Sequence, residues 1–141
     1  MTVVVETLTD GVALAVGRVL FGVVLAFMGL NHFLNLEEMA GYAEFKGIPA
    51  PTLGVVGSGA ILLAGGLSIA AGVFPAVGAL LVLVFFVAAT PTMHDFWTVE
   101  DPEDRQTELT QFLKNVVMAG GALVVLDLAG TAWPYAVNVG L

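Results

Sequence analysis

The chain has 141 residues, 58% of them hydrophobic and 11% charged, with a formal net charge of −8. Soluble domains carry about 25% charged residues, so a mean hydropathy of +0.96 points to a surface that faces something other than water. The four basic residues, Arg18, Lys46, Arg105 and Lys114, are too few for nucleic-acid binding or a polybasic lipid anchor, and the absence of cysteine excludes disulfides, thiol redox pairs and thiolate metal sites.

The length fits a single domain over residues 1–141. The opening MTVVVETLTDG holds Glu6 and Asp10 and no base, unlike a signal peptide. A first apolar helix is predicted over about 12–34. At 100° per residue it places Gly11, Arg18, Gly22, Gly29 and His32 on one face, a small and polar stripe that belongs against other helices. The acidic segment 35–50 follows. A second helix, about 51–71, starts at Pro51 and has its own stripe of Gly54, Ser58, Gly65, Ser68 and Gly72. After the break Gly72-Val73-Phe74-Pro75, a third helix spans about 75–90, with Pro91 expected to end or kink it. A second acidic loop, 92–109, overlaps the start of a fourth helix over about 102–128. There Asp101-Pro102-Glu103-Asp104 supplies an N-cap, a first-turn proline and two acids for the positive helix end. Trp97, Trp133 and Tyr135 are expected at interface depth.

Stretches such as LVLVFFVAA are apolar all round, which a water-soluble bundle does not allow. The predicted fold is therefore all-α: a membrane-embedded four-helix bundle, multi-pass in the cell membrane and surrounded by lipid. Both termini share one side. The positive-inside count, Lys46, Arg105 and Lys114 against Arg18, favours loops 35–50 and 92–109 in the cytoplasm. Acid-rich, lysine-poor loops suit a high-salt cytoplasm and predict a halophilic archaeon as source.

Two polar groups of residues stand out. Arg18 lies within the first helix, where a charge costs roughly 2.5–3.5 kcal/mol; Asp127, on the same side, is its expected partner. On the loop side, Asn31 and His32 end the first helix, and His94, Asp95 and Trp97 follow the third. Arg105, Glu108, Gln111, Lys114 and Asn115 enter with the fourth, Arg105, Glu108, Gln111 and Asn115 on one face. Histidine titrates near neutral pH, so His94 and His32 are the candidate catalytic residues, with Asp95 expected to hold His94 in one tautomer. Arg18, Asn31, Asp95, Trp97, Lys114 and Asn115 are the candidate ligand contacts. The histidines lack ligand spacing, so no metal or haem is expected.

Several motifs in order resemble the DoxX family of small four-helix membrane proteins: GRVLFGVVLAFMGLNHFLN, GIPAP, LLAGGLSIAAG, MHDFW, DPEDR and FLKNVVMAGGAL. One departure is Ile61-Leu62-Leu63-Ala64 before the paired glycines, where many relatives carry a glutamate. The resemblance implies a membrane subunit of a quinone-linked oxidoreductase complex, with quinone as the bound molecule and electrons from a protein partner. The alternative is a non-catalytic scaffold or chaperone that binds a partner through glycine-rich helix faces. Association into a homo-oligomer fits either reading.

Overall fold

The computed structural model describes residues 1–140. A short helix α1 (Thr2–Thr7) leads through a kink at Asp10-Gly11 into α2 (Ala13–Leu34). Then come α3 (Leu36–Phe45), α4 (Pro51–Ala71), α5 (Pro75–Met93), a 3-10 turn over Phe96–Thr98 and α6 (Pro102–Leu128). Four helical spans among the described residues are long and apolar enough to cross a membrane. The protein is an all-α membrane bundle. Segment 35–50, expected as a loop, contains α3, whose Ala40 and Ala43 pack with Val55 of α4.

Prolines and caps set the boundaries. Pro51, Pro75 and Pro102 each open a helix, where the missing N–H has no partner to lose. Asp101 caps α6 by accepting from the N–H groups of Glu103 and Asp104, both at 3.0 Å. Gly72 closes α4 in the left-handed region at φ 71°. Pro91 does not end α5, which continues to Met93. The proline withholds a single N–H only one turn before the helix ends, and the His94 N–H still reaches the Thr90 carbonyl at 3.1 Å.

Antiparallel α2 and α4 approach through glycine. A Cβ added at Gly66 would collide with the Ala26 backbone and come within 2.5 Å of the Gly22 carbonyl, and one at Gly29 would reach the Gly59 carbonyl at 2.6 Å. The pairs Gly22–Gly66 and Gly29–Gly59 thus form one seam. The stripe expected on the first helix faces this seam, with Gly11 against Pro134 of the tail. Of the stripe expected on the second helix, Gly65 and Ser68 meet Gly78 of α5, while the seam with α2 uses Gly59 and Gly66, which lie outside that stripe. Leu25, Leu62, Ile69, Val82, Phe86 and Ala122 form the core. Ala122 is the buried residue of α6, and this helix meets α2 through Phe21 against Gly121.

The tail folds back onto the α4–α5 corner. Phe74 donates its N–H to the Val139 carbonyl at 2.7 Å, and Val137 donates to Ala71 at 2.9 Å. Trp133 is buried in the tail, its indole N–H donating to the Leu128 carbonyl at 2.9 Å. Tyr135 and Trp97 are exposed.

Candidate functional site

The loop-side ends of α3, α5 and α6 bring five ionisable side chains into one connected arrangement. His94 follows the last turn of α5, and Glu108 projects from the second turn of α6. His94 Nδ1 lies 2.9 Å from Glu108 Oε2, both side chains about four-fifths buried. A carboxylate can only accept, so Nδ1 carries the proton, and Nε2 takes no hydrogen bond from the described residues. The other Glu108 oxygen accepts from the Tyr42 hydroxyl at 3.0 Å. Tyr42 also approaches the Met93 carbonyl at 3.3 Å, and its ring lies under Lys46 Nζ at 5.5 Å. Lys46 pairs with Asp95 at 2.6 Å, and Thr98 donates to the other Asp95 oxygen at 2.9 Å.

The partner expected for His94 is therefore corrected. Asp95 is adjacent in sequence, but it points to Lys46, and Glu108 holds the imidazole. Successive side chains at a helix end diverge, whereas α6 returns antiparallel and presents Glu108 across the gap. Burial pushes the Tyr42 hydroxyl above its ordinary value, and Glu108 adds to this. Burial alone would lower Lys46, but its hydrogen bond to Asp95 and the charges of Tyr42, Asp95 and Glu108 leave it raised.

The other candidates are placed elsewhere. His32 is buried deeper, its Nδ1 2.7 Å from the Met28 carbonyl and its ring edge-on to Phe85 at 6.1 Å. Phe85 lies nine residues before His94, about 13.5 Å of helix rise below it. Asn31 is exposed and accepts from Asn35 at 2.6 Å. Trp97 stacks edge-on with Phe96 and Phe112, at 5.2 and 6.0 Å. Lys114 is exposed and Asn115 half-buried, and neither hydrogen-bonds to the His94 group. Arg105 donates to the Val99 carbonyl at 2.7 Å.

Arg18 belongs to the opposite membrane face. It is 3% exposed, and its guanidinium donates to the carbonyls of Ala70, Pro134 and Tyr135, with Trp133 at 5.9 Å. Asp127 is exposed and forms no ion pair with it. The expected Arg18–Asp127 pairing is corrected: tail carbonyls and the negative end of α4 compensate the charge.

With this geometry in view, comparison with known proteins gives one finding. The DoxX family model matches residues 13–95. The chain belongs to the DoxX family. No curated protein and no solved structure matches it. The family match runs from α2 through α5 and takes in Tyr42, Lys46, His94 and Asp95. It stops before α6, so Glu108 lies outside the part of this DoxX protein that carries the family signal. Sequence reasoning set Glu108 on the right helix face without assigning it to the site, and it did not single out Tyr42. The usable signal for Glu108 was an acid shared with a polar face on a helix that returns beside His94.

Proposed function

We propose that this DoxX-family membrane protein is the membrane subunit of a quinone-linked oxidoreductase in the cell membrane, with the loop-side group as its proton-handling site. The His94–Glu108 contact carries this reading: a tautomer fixed by a carboxylate, at a membrane face, with Nε2 free to accept or pass a proton. Reducing a quinone takes up two electrons and two protons. A partner protein supplies the electrons, since the chain has no cysteine for an iron–sulfur cluster. His94 relays protons from loop-side water, and Tyr42 and Lys46 hold Glu108 and Asp95 in place. His32 and Asn115 lie deeper, on the apolar side of that face. The scaffold alternative has less behind it, because most glycines of the stripes it would use, Gly22, Gly29, Gly65 and Gly72, are packed within the molecule.

The test combines isolation from native membranes with variants of His94. Co-purification of a redox partner, and quinone reduction that falls in both His94→Ala and His94→Gln while the bundle stays folded, are the expected results. A stoichiometric non-redox partner, or unchanged reduction in both variants, would overturn the proposal.

A further inference from the structure

Arg18 sits beneath the tail, at the face opposite the His94 group. Its Nη1 donates to the carbonyl of Ala70, the next-to-last residue of α4, so the guanidinium lies within about one turn of that face. Nη2 donates to the carbonyls of both Pro134, at 3.0 Å, and Tyr135. Nε is buried and has no hydrogen-bond partner. Nε and Nη2 share one edge of the guanidinium, the kind of edge that takes an oxyanion in two parallel bonds. Here two neutral carbonyls crowd Nη2 and leave Nε empty. Among the described residues the ion pairs are Lys46–Asp95 and His94–Glu108, so no carboxylate balances this buried charge.

The segment over that edge is strained. Tyr135 has φ 56° and Asn138 φ 57°, a region that asparagine tolerates and tyrosine rarely enters. Tyr135 is 81% exposed, so its own packing does not hold it there, whereas its carbonyl is held by Arg18. Asn138 ties the loop from within. Its Oδ1 accepts from the Trp133 N–H at 2.7 Å, and its Nδ2 donates to the Trp133 carbonyl at 2.9 Å. On either side the chain is anchored separately, by the Trp133 indole on Leu128 and by the Val137 N–H on Ala71. Residues 134–136 thus form a short span that can lift without detaching the rest of the tail.

From this we infer that Arg18 is a phosphate-binding site that the loop 134–136 holds shut. The Pro134 and Tyr135 carbonyls stand where phosphate oxygens would. When the loop lifts, Nε and Nη2 take the phosphate side-on, both donors are satisfied, the charge is balanced, and the strain at Tyr135 is released. The phosphate comes from a lipid headgroup at this face or from the water beyond it. The site is independent of the quinone reading.

The experiment uses the full chain in a maltoside detergent, which carries no phosphate. Inorganic phosphate is titrated by calorimetry. In a second arm phosphatidylglycerol is added to the micelles, and its retention through gel filtration is measured by mass spectrometry. Thermal unfolding shows whether each variant keeps its bundle. Asn138→Ala unties the loop and should bind at least one probe about tenfold more tightly than the wild type, the effect of a tenfold rise in the open fraction. Asn138→Asp keeps the Oδ1 acceptor and loses the donor; it should show a smaller gain in the same direction, and it carries the test should the alanine variant not fold. Adding Arg18→Lys to either keeps the charge but removes the two-bond edge, and should cancel the gain. A gain confined to phosphatidylglycerol supports the inference with a headgroup as the source. A gain with inorganic phosphate supports it with a soluble anion. No gain for either probe in a folded Asn138 variant, or a gain that survives Arg18→Lys, overturns it.

Discussion

Both carboxylate oxygens of Glu108 are engaged, one by the Tyr42 hydroxyl and the other by His94 Nδ1. A glutamine at this position keeps the shape but presents an amide that can donate as well as accept, so it no longer dictates which imidazole nitrogen holds the proton. In Glu108→Gln, nitrogen NMR of His94 should change from a single Nδ1–H form to a mixture of tautomers, while unfolding moves little. An unchanged tautomer would show that something other than Glu108 sets it. The histidine was legible in the sequence, since a titratable side chain beside Pro91 at a membrane boundary asks for a reason. Its partner was not. The segment from Asp95 to Glu108 offers several acids, and only the return path of α6 selects one. Arg18 shows the same limit more sharply, because its partners are backbone carbonyls and no residue type announces them.

Among the elements, the α2–α4 seam and the α3 attachment make separate demands. Gly66→Ala would drive a methyl into the Ala26 backbone and should destabilise the bundle by about 1–3 kcal/mol, the usual penalty of overpacking. Gly57 and Gly120 have nothing within 4 Å of an added Cβ. Alanine there should be neutral or gain up to about 1 kcal/mol from helix propensity. Thermal unfolding in detergent compares the three, and a Gly66→Ala protein as stable as the wild type would remove the seam from the account. The stripe on α2 could be read from its spacing because the rest of that helix is large and apolar. On α4, glycines at 54, 57, 59, 65 and 66 surround the axis, so period alone cannot say which pair meets α2. The attachment of α3 responds to pH. The folded protein raises Lys46 and Tyr42 above their ordinary values, so both favour the folded state while protonated. Their contribution is complete at neutral pH and is lost as pH rises through and beyond about 10. Lys46→Met should flatten that alkaline fall in stability; an unaltered profile would show that the Lys46–Asp95 link adds nothing.

At the scale of the whole molecule, the four spans and the family signal make this a protein that requires detergent or lipid. Extraction as a soluble monomer without detergent would contradict the architecture. The bundle was legible from hydropathy because lipid imposes a simple rule on span length, whereas the inward fold of the tail depends on contacts distant in sequence. Those contacts have a consequence for biosynthesis. Arg18 enters the bilayer with the first span, yet two of its acceptors, the carbonyls of Pro134 and Tyr135, lie 116 and 117 residues later in the chain. Throughout translation of the intervening helices the guanidinium must stay near the membrane surface or borrow other partners. Its burial is thus a late event that reports whether the rest of the chain has arrived. A nascent chain stalled before residue 134 would leave a membrane arginine without those acceptors. The burial of Arg18 is therefore complete only once the tail has closed over it.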